Sequence, residues 1–543
     1  MQNSSLAAAL FPAALPLPAD LEERYPQREL PQGARVTRFA PSPTGFLHIG
    51  SLYTAFVNLL TARSSGGVFY LRIEDTDKKR EVQGGVEALL QSLGEFGIVP
   101  DNMDEVLNDA ARADGYGPYV QSARREIYQA FARELVLNGL AYPCFCSEEE
   151  LNAMRTEQEG AAAPQKGYWG KWARCRDLSE EEAIARVKAG EPWVLRLRSA
   201  CREDERVVFT DEVRGKIEMP ANILDAVILK TDGMPTYHFA HAVDDHLMRT
   251  THVIRSEEWL ASVPLHLELF RACGFKPPKY AHISALMKQD GGGKRKLSKR
   301  KDPEAAVSWF TEQGYPAAAV LEYLMCLVSS RFEDWRRANP TAPREGFPFT
   351  LKGMSASGAL FDLVKLTDVS KGVIAGISGA DLAREVSEWA GSYAPQFAAL
   401  TAKHPGYLGQ ILAIDRDGAK KPRKDISRYG EVEDYTAYFF DELFTPAPVP
   451  GGEEILRGYS YSNEDKEAWF GRIRELAVSL GYAASPKEYK ENPTAFKGHV
   501  GDVSAVLRLA ITGRENTPDL WAICRVLGEE RVRSRIEGCL RQA

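Results

Sequence analysis

The chain has 543 residues, 44% hydrophobic and 26% charged, the balance of a soluble multidomain protein with three or four cores. Its formal net charge of −7 excludes a globally basic nucleic-acid binder, so any RNA contact has to come from local patches. Eight cysteines scattered through this length exclude a disulfide scaffold and favour a reducing, cytoplasmic setting, and no apolar run reaches membrane-spanning length.

Residues 1–34 are rich in Ala, Pro and Leu and then charged. Leu6–Pro18 is apolar but interrupted by prolines and preceded by no basic residue, which predicts an appendage packed on the body rather than a signal peptide. Val36–Asp77 then reads as strand, loop, helix, turn and strand. Val36, Thr37 and Phe39 favour a strand, and Pro41, Ser42, Pro43, Thr44 and Gly45 break it. Leu52, Phe56, Leu59 and Leu60 recur at helical spacing, and Val68–Ile73 is an apolar run broken only by Arg72, as in a buried parallel strand. Such a βαβ unit gathers a helix N-terminus and two strand ends at one crevice. His48 and Gly50 fall in the first helical turn, where the dipole favours phosphate and the histidine supplies a donor. Neither residue is diagnostic alone. Walker A and Gly-x-Gly-x-x-Gly sequences are absent, which leaves kinase and dehydrogenase readings without support.

The whole stretch, RFAPSPTGFLHIGS followed by LRIEDTD, resembles the front of the catalytic domain of class I glutamyl-tRNA synthetases. His48-Ile49-Gly50-Ser51 stands where the class carries His-Ile-Gly-His. Downstream, Lys294–Lys301 is a basic loop preceded by glycines, and Lys296-Leu297-Ser298-Lys299-Arg300 resembles the second class I signature, Lys-Met-Ser-Lys-Ser. Two signatures in the right order are far more specific than either one.

The resemblance implies an α/β fold, with a Rossmann-type parallel sheet, an inserted α+β acceptor-binding domain and an all-helical C-terminal anticodon-binding region. The expected boundaries are 35–117 and 226–275 for the two catalytic halves and 118–225 for the insertion. Residues 276–375 follow as a stem-contact region with the KLSKR loop, then helical subdomains at 376–450 and 451–543, joined at the Pro/Gly-rich Phe444–Gly452. The insertion is expected to hold antiparallel strands in EPWVLRLRS and RVVFTDEVRGKIEMP, and AVILK to be a buried strand of the returning α/β half.

The implied activity is a glutamate–tRNA ligase that uses ATP with Mg²⁺ to make glutamyl-adenylate and passes the acyl group to the terminal adenosine of tRNA(Glu), with tRNA(Gln) left open. The competing readings are a glutaminyl-tRNA synthetase and a non-catalytic tRNA-binding paralogue. Adenylate formation needs positioning and positive charge rather than a protein nucleophile. The resemblance makes His48, Lys296 and Lys299 the catalytic set, with Gly50, Ser51, Leu297 and Ser298 in the ATP site. Trp259 falls either beside the adenosine or in the core. For glutamate, Arg38 and Arg255 are the expected carboxylate partners and Glu74 the ammonium partner, with Ala40, Ser42 and Tyr237 adding contacts. His241 stands where the family usually carries asparagine.

Cys144-x-Cys146 with Cys175 resembles a zinc site of some family members, Tyr168 being one candidate fourth ligand and Asp177 standing where a histidine would complete the set. Free buried thiols are the alternative. Arg416–Tyr429 is basic with one aromatic, and reads either as a phosphate-tracking, base-stacking segment or as a solvated loop. Family members are commonly monomers, which is the expectation here.

Overall fold

The computed structural model describes residues 3–43, 45–77, 82–107, 115–161, 163 and 165–542, so Thr44 of the expected turn lies outside them. The chain divides into two compact units, residues 1–309 with 324–362, and residues 310–323 with 363–543.

In the first unit, β1 (Val36–Phe39) and β2 (Val68–Leu71) pair in parallel across the Ile49–Arg63 helix, as the apolar spacing predicts. Gly67 is required at the turn into β2, because a Cβ there would lie 2.0 Å from the Arg35 carbonyl oxygen. On the other flank of β1, Thr251 N donates to Val36 O at 3.0 Å. That bond brings in β8 (His252–Ser256), which pairs in parallel with β9 (Lys279–Ile283). With that bond the β1–β2 pair lies beside the β8–β9 pair, and the C-terminal ends of β1, β2 and β8 meet at one crevice, where open α/β sheets bind ligands.

The inserted region runs differently in detail from its sequence reading. Helix Arg125–Leu137 is followed by Ala141–Cys144, which forms β3. β3 pairs antiparallel with β4 (Val194–Leu197). The AVILK run does not join the parallel sheet: β7 (Val227–Leu229) pairs antiparallel with β4 and completes the inserted sheet. The reason is the wholly buried Asp225 just before it. Its carboxylate accepts from Tyr142 at 2.6 Å, Arg176 at 2.5 Å and Ser199 N at 2.9 Å, tying the strand's start to the insertion. The expected hairpin forms from β5 (Arg206–Asp211) and β6 (Gly215–Pro220), and β5 meets β9 through Asp211 and Tyr280.

The N-terminal segment packs on this unit, as expected. Leu6, Leu10, Phe11, Leu15 and Leu21 are buried, and Phe11 meets Trp193 edge-on with ring centroids 6.4 Å apart. Tyr25 donates to Gly117 O at 3.0 Å, while Glu22 pairs with Arg249 at 2.7 Å.

The second unit is helical. One contiguous apolar core, from Ile374 through Trp469 and Ile511 to Cys539, draws residues from both sides of the Phe444–Gly452 joint. Arg416 is buried within it, donating to Leu412 O at 2.9 Å and also to Ile374 O. Tyr429 donates to Glu385 at 2.7 Å. Arg416 is therefore engaged in the core, and the half-buried Tyr429 has its hydroxyl committed to Glu385. Lys420, Lys421 and Lys424 remain exposed. Among the described residues, no helix is long and apolar enough to cross a membrane.

Candidate active site

Two adjoining cavities open at the crevice. The first, about 340 Å³, is lined by Arg38, Ala40, Ser42, Glu74, Tyr237, Arg255 and Trp259. The second, about 230 Å³, is lined by His48, Gly50, Tyr53 and Lys296. Ser51, Thr54, Ser256 and Glu258 line both, so one cleft carries two differently charged ends.

His48 is the N-cap of the Ile49–Arg63 helix rather than part of its first turn. Its Nδ1 accepts from Gly50 N at 3.0 Å, and its carbonyl accepts from Ser51 N at 2.8 Å. The cap thus uses first-turn N–H groups that sequence reasoning assigned to phosphate. What remains is the helix dipole, because the imidazole Nε2–H is directed at the Leu297 backbone. Burial, then the Lys299 and Lys296 charges, hold the imidazole below its ordinary pKa, so it is neutral near pH 7 and carries its hydrogen on Nε2. Gly50 lets the ring fold over the backbone, since a Cβ there would sit 3.1 Å from His48 Nδ1.

The KLSKR segment follows a hairpin of β10 (Leu286–Asp290) and β11 (Gly293–Lys296). Leu297 is buried and its N–H donates to Leu286 O at 3.0 Å. Asp302 pins the loop by accepting from Ser298 N at 3.0 Å, Arg295 at 2.6 Å and Lys288 at 3.1 Å. Those donors, Arg295 foremost, hold its carboxyl below the usual range. The two signature lysines part company here. Lys296 lines the second cavity and pairs with Glu258 at 2.5 Å. Lys299 lies outside both linings and donates to Phe46 O at 2.9 Å.

At the other end, a buried charge cluster fixes the pocket. Asp245 is fully buried and accepts from Arg72 at 2.7 Å and from Arg38 Nε at 3.1 Å. Burial opposes the Arg38 charge, but Asp245 together with Tyr237 and Tyr70 outweighs it and keeps the guanidinium protonated. Among the described residues, the Nη groups of Arg38 make no protein hydrogen bond, which leaves its fork for a ligand. Burial raises the Glu74 pKa against the pull of Arg72, 3.1 Å away.

Arg255 is more heavily engaged. Its Nε donates to His282 Nε2 at 3.1 Å, Nη1 to the Tyr237 hydroxyl at 3.3 Å, and Nη2 to His266 Nδ1 at 3.1 Å and Trp259 O at 3.4 Å. Four of five N–H groups are therefore committed, and one remains on Nη1. Trp259 stacks obliquely on Tyr237, with ring centroids 4.3 Å apart, and is 38% exposed at the mouth.

His241 is not part of the lining. It is wholly buried, 3.0 Å from the Tyr280 hydroxyl through Nε2 and 2.5 Å from Asp245 through Nδ1, the latter contact poorly aligned for a hydrogen bond. Burial pushes it down to about 3, so it is neutral and acts behind the pocket. Sequence reasoning also missed His266 and His282. Nothing in the spacing of lone histidines on a helix and a strand marks them.

In the inserted region, Cys144, Cys146 and Cys175 converge with their sulfurs within 4.8 Å of one another. Cys146 Sγ is 3.6 Å from Cys175 Sγ and 3.3 Å from the Tyr168 hydroxyl. Asp177 is 92% exposed and pairs with Arg198 at 3.9 Å, so it takes no part.

Comparison with known proteins identifies the family. The family described as "tRNA synthetases class I (E and Q), catalytic domain" matches residues 35–338, and "Anticodon binding domain" matches residues 485–540. A glutamate–tRNA ligase of Clostridium perfringens (strain 13 / Type A) is 46% identical over 550 residues, covering 99% of this chain and 100% of that protein. One from Acetivibrio thermocellus is 47% identical over 551 residues, again covering 99% and 100%. The crystal structure of glutamate-tRNA synthetase from Elizabethkingia anophelis superposes with a TM-score of 0.73 at 28% identity, covering 94% of this chain and 100% of that one. On this evidence the chain belongs to the glutamate–tRNA ligase family of class I tRNA synthetases.

Proposed function

We propose that the cleft joins glutamate to ATP and then delivers the activated acyl group to the terminal adenosine of tRNA(Glu). The enzyme is a glutamate–tRNA ligase of class I. The observation that carries the residue-level reading is the shared wall of the two cavities, which sets a cation-lined pocket against a neutral histidine and a lysine. In this reading the Arg38 fork takes the substrate side-chain carboxylate bidentately. Glu74 takes the α-ammonium, while Ala40 and Ser42 shape the wall. Tyr237 and the remaining N–H of Arg255 take the second carboxylate, whose oxygen attacks the α-phosphorus. MgATP enters as substrate over Gly50, Ser51, Leu297 and Ser298, with Trp259 flanking the adenosine. Lys296 stabilises the charge that gathers on phosphate oxygens, and the His48 Nε2–H and Lys299 join it when they leave the Leu297 backbone and the Phe46 carbonyl.

Charging assays test this. Glutamate with purified tRNA(Glu) is expected to be charged, and glutamine to be rejected by at least about 100-fold in kcat/KM, because its amide leaves an Arg38 N–H facing a donor. Equal use of glutamine would refute the assignment of Arg38. The same assay with tRNA(Gln) decides whether this second tRNA is accepted. We place the activity in a monomer in the cytoplasm, the location in keeping with eight cysteines that form no disulfide among the described residues.

The thiol cluster suits a structural zinc ion. Tetrahedral Zn–S bonds of about 2.3 Å set ligand sulfurs roughly 3.8 Å apart, close to the Cys146–Cys175 spacing of 3.6 Å. Cys144, Cys146, Cys175 and Tyr168 would hold it as a closed site that braces the inserted sheet. Purified protein is expected to release one zinc equivalent to a chromogenic chelator on thiol modification. C146S is expected to release none and to melt earlier. A metal-free, equally stable wild type would favour simple buried thiols.

A further inference from the structure

Arg255 sits among partners drawn from separate elements. Tyr237 comes from the Tyr237–Leu247 helix, His266 from the Val263–Ala272 helix and His282 from β9. Both histidines are fully buried. An arginine N–H only donates, so the ring nitrogens facing Arg255 must accept, and this fixes both tautomers. His282 accepts on Nε2 and donates from Nδ1 to Asp211 at 2.7 Å. His266 accepts on Nδ1, so its hydrogen lies on Nε2, 2.9 Å from His238 Nδ1. The two rings therefore hold Arg255 in opposite senses, one through Nε2 and the other through Nδ1. Burial, then the nearby cationic and imidazole groups, keeps His266 neutral. Burial does the same for His282 against the pull of Asp211.

We propose that His266 and His282 are positioning residues that aim the one uncommitted N–H of Arg255, together with the Tyr237 hydroxyl, at a carboxylate of the amino-acid substrate. This rests on the reading of Arg255 as a glutamate-recognition residue. Each ring supplies an acceptor that removes a rotational freedom of the guanidinium. Because Arg255 Nη1 donates to the Tyr237 oxygen, the phenol hydrogen is left to turn toward the cavity. Neither histidine lines that cavity, so both act through the arginine.

The opposite ring senses give a test that a general packing role would not pass. Asparagine places its amide near an imidazole Nδ1, and glutamine places its amide near Nε2. H266N and H282Q therefore retain an acceptor toward Arg255, whereas H266Q and H282N do not. In aminoacylation of tRNA(Glu) at saturating MgATP, H266N and H282Q are expected to keep the KM for glutamate within about threefold of wild type. H266Q and H282N are expected to raise it about tenfold or more, with the KM for ATP unchanged and kcat altered by less than about threefold. Equal effects of both amides at each position, or a parallel rise in the KM for ATP, would overturn the proposal. Thermal melts of all four variants identify any that fail to fold, and the remaining position still carries the comparison. R255L separates the two layers of the argument. If it leaves the glutamate KM unchanged, both the proposal and the carboxylate role of Arg255 fall. If it raises that KM while the amide preference is missing, only the positioning role falls.

Discussion

Replacing Lys296 with alanine is expected to slow glutamate-dependent ATP–pyrophosphate exchange, measured with tRNA present, by about 100- to 1000-fold. Lys296 is the signature lysine that lines the smaller cavity. Its partner there, Glu258, is 58% exposed, and the lysine itself is 53% exposed. A pair this open contributes little to folding, so the melting temperature is expected to stay nearly unchanged. The loss then reports a missing charge at the phosphate rather than a damaged fold. K299A is expected to have a smaller effect, because Lys299 rests on the Phe46 carbonyl outside both cavity linings. A K296A enzyme within threefold of the wild-type rate would refute the assignment, and so would a K299A variant that is the more damaged of the two.

The second large effect is expected from R38K. Lysine keeps a positive charge against the buried Asp245 carboxylate, which Arg72 also holds at 2.7 Å, so the protein is expected to fold. What disappears is the planar fork, since an ammonium offers no paired parallel donors. The KM for glutamate is expected to rise about 100-fold with the KM for ATP unchanged, and selectivity over glutamine to shrink in parallel. Steady-state kinetics with both amino acids check this. An unchanged ratio between them would show that discrimination resides elsewhere. R38A is the less informative choice, because it also removes one of the two guanidinium partners of a buried carboxylate.

Much of this protein was legible before folding was considered. The β1–helix–β2 unit follows from strand-favouring residues, an apolar run and helical spacing between Val36 and Leu71, and the structure reproduces it. The two signature stretches were readable because each is short and contiguous, and their convergence on one cleft followed from the resemblance. The thiol cluster was half legible: Cys144, Cys146 and Cys175 do meet, while the candidates Tyr168 and Asp177 could be separated only by seeing that Asp177 faces solvent.

The sequence by itself determined the family and the reaction, and it named residues that line the two cavities, because those are set by local pattern and by side-chain chemistry. Tertiary structure alone decided which strand β7 joins, that His48 caps its own helix, and that His241 stands behind the pocket rather than in it. It also decided how the N–H groups of Arg255 are shared among residues 18 and 27 positions away on other elements. Hydrogen-bond direction depends on which atoms meet in space, and separation along the chain carries no record of that.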